Sequence, residues 1–225
     1  MIRLVLLVST LAFATFVSAA VSNSPFTGKL TSKLQGLVEV PDVFGEPDPK
    51  RPADQKANPD SKPIPLLVSP SSKEPPLFVD AKPSDFISAE HDYEMRSAAV
   101  YEKRKDWYRI ATVRGDAWIP ANRAGAFHGY EKLVKKGPNY LTPEWDRQIF
   151  PTAAGKSRAA KIKAGESHFP VKILSTKVVG KDLWYQVRLI KDACEDDEPE
   201  FSDEGWVRGI SEKNLVNVWF FSRGC

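Results

Sequence analysis

Two stretches of this chain alternate apolar and polar positions with the period of a half-buried β-strand. The first is "AAVYEKRKDWYRIATVRGDAWIPA", Ala98 to Ala121, where Val100, Trp107, Ile110, Trp118 and Ile119 are the inward or half-buried positions. Its charged breaks, Glu102–Asp106 and Arg114–Asp116, read as short turns between strands. The second is "FPVKILSTKVVGKDLWYQVRLI", Phe169 to Ile190, with inward positions at Val171, Ile173 and Trp184 and a turn at Gly180-Lys181-Asp182. It resumes at "EGWVRG", Glu204 to Gly209. Both copies run Trp-Tyr, polar, β-branched, then a turn, then Trp and a β-branched residue. The Trp-to-Trp interval is 11 residues in the first copy and 22 in the second, the excess carrying Cys194 and an acidic run. Self-similarity of this kind predicts a duplicated supersecondary unit and an all-β fold.

The pattern changes outside these copies. Leu4 to Val17 is an apolar core free of charges behind the single charge of Arg3, closed by the small residues "VSAA". This is the grammar of a cleaved export signal, expected over residues 1–20. It is too short to favour a membrane span. From Pro41 to Pro83 lie eleven of the eighteen prolines, with Phe44 and Phe78 as the only aromatics. Such composition predicts a disordered, Pro-rich linker over 21–84, in which "KPIPLLVSP" (Lys62 to Pro70) has the character of a docking arm. All six tryptophans fall between Trp107 and Trp219. The expected division is a first domain at 85–139, a connector at 140–158 and a second domain at 159–225. Trp145 and Phe150 of the connector are expected between the two.

Asp106-Trp107-Tyr108-Arg109-Ile110 with Ala117-Trp118-Ile119, and Trp184-Tyr185-Gln186-Val187 with Gly205-Trp206-Val207, resemble the signature of the bacterial SH3-like (SH3b) family. The resemblance implies two small antiparallel barrels in tandem. "WIPAN" (Trp118 to Asn122) is similar to an element of the peptide-binding SH3 family in which the proline lines a groove. It implies ligand-contacting roles for Trp107 and Pro120, whereas the second copy carries Arg208-Gly209 at the proline's place. Trp118 and Trp206 are assigned to packing. Trp107 and Trp184 are the candidates for exposed aromatic surface, which turns Tyr108 and Tyr185 inward because strand neighbours face opposite ways. Strand geometry alone accommodates the reverse assignment too.

Export bears on the two cysteines. Cys194 and Cys225 are expected to form a disulfide closing a loop of roughly thirty residues, worth about 3–4 kcal/mol. Two free thiols, or a bridge between chains, are the alternatives. A formal net charge of +3 gives no steering toward nucleic acid. The acidic run Glu195 to Glu204 lacks the spacing of a calcium loop. His91, His128 and His168 are scattered, and "SRGC" (Ser222 to Cys225) departs from the Ser-His-Gly-Cys motif of L,D-transpeptidases at Arg223. No catalytic, metal or cofactor site is therefore expected. The sequence reads as an exported, periplasmic or extracellular, non-enzymatic binding module for cell-wall peptide or glycan, or for an envelope protein. The alternative is an assembly scaffold whose Pro-rich arm engages a partner.

Overall fold

A computed structural model of the chain describes residues 24–44, 63–70, 73–161, 169–191 and 203–223. The export segment, part of the Pro-rich stretch (45–62), His168, Cys194 and Cys225 lie outside the described residues, and with them the expected disulfide. What is described is all-β and antiparallel.

The first sheet is built from β1 (Gly36–Val38), β2 (Ser88–Asp92), β3 (Met95–Arg104), β4 (Trp107–Thr112), β5 (Gly115–Pro120) and β6 (Phe127–Gly129). Its order is β5-β4-β3-β1-β6, with β2 also pairing β3. The β4–β5 turn is two residues long. Gly115 takes φ +118°, a region a side chain rarely adopts, and its carbonyl accepts from the Thr112 hydroxyl at 2.6 Å. A bridge between Phe86 and Thr112 ties the segment entering β2 to the end of β4. A short helix, α1 (Pro41–Phe44), follows β1.

A second helix, α2 (Tyr130–Val134), leads into the second sheet, made of β7 (Asn139–Leu141), β10 (Phe169–Val179), β11 (Asp182–Leu189), β12 (Glu204–Arg208) and β13 (Val218–Phe220). Its order is β12-β11-β10-β7-β13, and a two-stranded ribbon of β8 (Gln148–Ile149) and β9 (Arg158–Ala159) stands beside it. The duplicated motif occupies matching places. Trp107 pairs with Pro120, Tyr108 with Ile119, Arg109 with Trp118 and Ile110 with Ala117. Trp184 pairs with Arg208, Tyr185 with Val207, Gln186 with Trp206 and Val187 with Gly205. The two hairpins share one register, residue for residue. Only the connections differ: in the second copy the long excursion begins after the Leu189 N–H has donated to the Asp203 carbonyl.

Two expectations about boundaries are corrected. Within the predicted linker 21–84, residues 24–44 and most of 63–84 are built into the fold. β1 lies between β3 and β6, with Leu37 and Val38 fully buried, and Ile64, Leu66 and Phe78 join the core of the first sheet. The arm pairs with the edge of β5: Leu67 and Trp118 exchange both backbone hydrogen bonds, at 3.0 and 2.8 Å. Proline content describes local stiffness, but a few well-spaced apolar residues suffice to dock the chain. The connector 140–158 is likewise redrawn. Tyr140 and Leu141 belong to β7, which sits between β10 and β13.

The two sheets share one apolar cluster. Leu30, Leu34 and Leu37 from the N-terminal segment meet Tyr130, Leu133 and Val134 of α2 and Val218, Trp219 and Phe220 of β13. The Tyr130 hydroxyl, buried, lies 2.9 Å from the Gly209 carbonyl and 2.7 Å from that of Val218. Gly209 has no room for a side chain, since a Cβ would stand 2.7 Å from the Tyr185 ring. Trp145 and Phe150, expected between the units, instead cover the second sheet: Trp145 packs edge-on to Phe169 and Phe150 edge-on to Trp184.

Candidate functional site

The sequence-predicted aromatic residues separate. Trp107 and Pro120 face each other across β4 and β5, both half-buried, as a peptide groove would require. Trp184 is different. It is 1% exposed, with the Phe150 ring 5.0 Å away on one side and the Arg208 guanidinium 5.0 Å from its centroid. The residue standing where the first copy has proline therefore roofs the tryptophan, and Trp184 is corrected from exposed surface to core. Tyr108 and Tyr185 point inward as expected. Trp118 is buried beneath Arg104, whose guanidinium lies 4.4 Å from the ring. The basic run Glu102 to Arg109 is thus spent partly on covering aromatic rings, with Lys103 over Phe127 at 4.9 Å.

A cleft of about 500 Å³ opens where β2 of the first sheet meets β7 and β13 of the second. One wall is aromatic, from Tyr140, Trp219, Phe220 and Phe221, with Pro25 at the rim. The other wall is charged, from Glu90, Arg96 and Arg223. Three consecutive rings, Trp219 and Phe220 of β13 and Phe221 after it, stand beside Tyr140, and Phe221 packs on Tyr140 at 4.7 Å. Arg223 is positioned by two contacts. It forms a forked pair with Glu90, at 2.9 and 3.2 Å, and its guanidinium lies 5.6 Å from the exposed Tyr93 ring. Arg96 is held by the Ser88 hydroxyl and carbonyl at 3.2 and 3.1 Å. The Arg223 guanidinium holds the Glu90 carboxyl below its ordinary range against the opposing effect of burial, and the Ser222 hydroxyl adds to it. Two guanidiniums and the Glu90 carboxylate line the charged wall beside the apolar one, with the Glu94 carboxylate also acting on Arg223. Guanidiniums beside an apolar wall are the chemistry that pairs with a carboxylate on an apolar body.

A second cluster is built on His91, the residue of β2 that follows the cleft's Glu90. Glu39, His91 and His128 bring one potential ligand atom each to within 4.8 Å of one another. His128 Nε2 is 2.7 Å and His91 Nε2 3.5 Å from Glu39 Oε1, and the two imidazoles stack with centroids 4.5 Å apart. Burial, then the neighbouring His128, hold His91 below its ordinary value, although Glu39 pulls the other way. Burial raises the Glu39 carboxyl, but hydrogen bonds from His128 and the Ala126 N–H outweigh it, and the carboxyl sits below its ordinary value.

Neither constellation is visible as a linear motif. Glu39 falls in the stretch assigned to linker, and His91 and His128 stand far apart in the chain. The signal that finds them is the short run Gly36 to Val40, "GLVEV", whose apolar residues flank one outward glutamate. No protein-family model, no curated protein and no solved structure matches the chain.

Proposed function

We propose that the chain is an exported, non-catalytic binding module that takes a carboxylate-bearing cell-wall peptide into the cleft between its two sheets. The observation that carries this reading is the pairing of an aromatic wall, Tyr140, Trp219, Phe220 and Phe221, with the Arg96 and Arg223 guanidiniums. Wall peptides combine methyl-bearing side chains with free carboxylates, and the two faces of the cleft meet those two chemistries. The export signal read at residues 1–20, and the resemblance of both hairpins to the SH3b family, support the same assignment. Tandem barrels with their hairpins in one register suit a rigid presentation of surface more than a moving catalytic centre. The Trp107–Pro120 strip offers a second, smaller surface of different chemistry.

The scaffold reading gains less from these observations. It needs a Pro-rich arm free to engage a partner, and Ile64 and Leu66 of that arm are buried against the chain's own first sheet.

Co-sedimentation with purified peptidoglycan tests the proposal. The chain is expected in the pellet at low salt, and Phe221→Ala and Arg223→Glu are each expected to release it at least tenfold more readily. Trp107→Ala is expected to sediment like the parent chain. A parent chain that stays in the supernatant, or cleft variants that sediment unchanged, would overturn it.

A further inference from the structure

Glu39, just past β1, His91 in β2 and His128 in β6 converge from three separate parts of the first sheet. Glu39 follows β1, and its backbone is fixed on both sides, its N–H donating to the Ala126 carbonyl at 3.0 Å and its carbonyl accepting from Gly125 at 2.9 Å. Opposite β1, His128 pairs with Leu37. Glu39 and His128 are thus diagonal neighbours on one face of an antiparallel pair, within reach of long side chains. His91 arrives from β2, with its ring 4% exposed as a whole residue. His91 and His128 stand on strands, and Glu39, one residue past β1, is fixed by its backbone bonds to Gly125 and Ala126.

The orientation of each ligand atom is also set. Ser97, fully buried, places its hydroxyl 2.8 Å from His91 Nδ1, which leaves Nε2 facing the cluster. The Ala126 N–H donates to Glu39 Oε2 at 3.3 Å, so Oε1 is the oxygen turned to both imidazoles. Gly125 makes the carboxylate's seat possible. A Cβ there would stand 2.8 Å from Glu39 Oε2. An imidazole whose far nitrogen is held by an oxygen, beside a carboxylate whose far oxygen is held by an amide, is the outer-shell arrangement found around metal ligands.

Donor type sets the class of ion, and the three donor atoms, all within 4.8 Å of one another, would adjust around it. Bonds of about 2.0–2.1 Å in a tetrahedral site place ligand atoms about 3.4 Å apart. The separation between His91 Nε2 and Glu39 Oε1 is 3.5 Å. The closer His128 pair, at 2.7 Å, is a direct hydrogen bond that opens by under 1 Å to admit an ion. Two imidazoles and one carboxylate suit zinc and its neighbours, whereas magnesium and calcium prefer oxygen ligands throughout. The side chains of Glu39 and His128 are 28% and 27% exposed, so an ion has a way in and room for water as a further ligand. Lys136 approaches from the α2 side, but it is paired with Asp92 and bonds the His91 carbonyl.

We propose that Glu39, His91 and His128 form a three-ligand binding site for a divalent transition ion of the zinc class, clamping β1, β2 and β6 of the first sheet. This site is separate from the proposed wall-peptide cleft and does not depend on it. The test is calorimetric titration of the metal-stripped, purified chain with Zn²⁺, paired with Co²⁺ titration followed by visible absorption. One equivalent is expected to bind with a dissociation constant below roughly 10 µM. The Co²⁺ bands are expected in the range of a nitrogen-and-oxygen site, without thiolate charge transfer. Glu39→Gln and His128→Gln, each folded as the parent by circular dichroism, are expected to weaken binding at least tenfold, the scale of losing a ligand or its support. No saturable binding by the parent chain would overturn the site. So would binding that survives in both variants, or Co²⁺ bands dominated by thiolate, which would place the ion on the cysteines.

Discussion

Two tyrosines show how differently the same side chain behaves in one core. Tyr130 is buried with its hydroxyl on the Gly209 and Val218 carbonyls, whereas the Tyr185 hydroxyl is buried with no partner among the described residues. Removing a bonded hydroxyl costs its hydrogen bonds, and removing an unbonded one relieves desolvation. Tyr130→Phe is therefore expected to lower unfolding free energy by about 1–2 kcal/mol, and Tyr185→Phe to leave it equal or raise it by up to about 1 kcal/mol, as denaturant titration would read. Burial disfavours the phenolate and pushes the pKa of both tyrosines up, so above about pH 10 the unfolded chain loses protons that the folded one keeps, and stability falls with rising pH.

Asp203 works at the acid end. The forked pair with Arg158, at 2.6 and 2.7 Å, lowers its carboxyl to about 2 against the opposing effect of burial, helped by the Lys161 and Glu204 N–H groups. A carboxyl depressed in the folded state stabilises above its unfolded value, and that contribution is lost as pH falls from about 4 toward 2. Asp203→Asn is expected to flatten this limb of a stability-against-pH curve.

At the scale of elements, what the sequence revealed depended on range. The paired hairpins β4–β5 and β11–β12 were legible because Trp-Tyr, turn and Trp lie close in the chain and repeat. β1 and β7 were not. Each has three residues, too few for a period of two to register, and each is recruited by partners far away: Gly36 pairs with Val100 and Gly129. The fate of Trp184 was equally hidden, since its cover comes from Phe150 of the connector and Arg208 of the opposite strand. The candidate sites share this origin. Glu39 sits just beyond β1, and Tyr140 lies in β7.

The docked arm belongs to the same scale. Its hold on β5 rests on the Leu67–Trp118 backbone pair and on Ile64 and Leu66 beneath it. Leu67→Pro removes the N–H that donates to Trp118. Limited proteolysis with mass spectrometry is expected to show cleavage within 63–80 at least tenfold faster, while fragments from the second sheet appear at the parent's rate.

At the scale of the molecule, the shared cluster makes the two sheets one thermodynamic body. Leu34 and Leu37 on one side and Trp219 and Val218 on the other are buried only while both sheets are folded together around α2. Scanning calorimetry is expected to give a single transition, with calorimetric and van't Hoff enthalpies in agreement. Two separable barrels on a linker would melt in two steps. A rigid junction is also what the cleft requires, because Glu90 and Arg96 come from one sheet and Tyr140, Phe221 and Arg223 from the other side of the seam.

The proposed ligand seat is this seam. The direct measurement is chemical-shift mapping on isotope-labelled chain titrated with soluble, carboxylate-bearing wall peptides. Saturable shifts are expected at Glu90, Arg96, Tyr140 and Phe221 to Arg223, with the Trp107 indole unmoved. Absence of shifts, or shifts confined to Trp107 and Pro120, would contradict it.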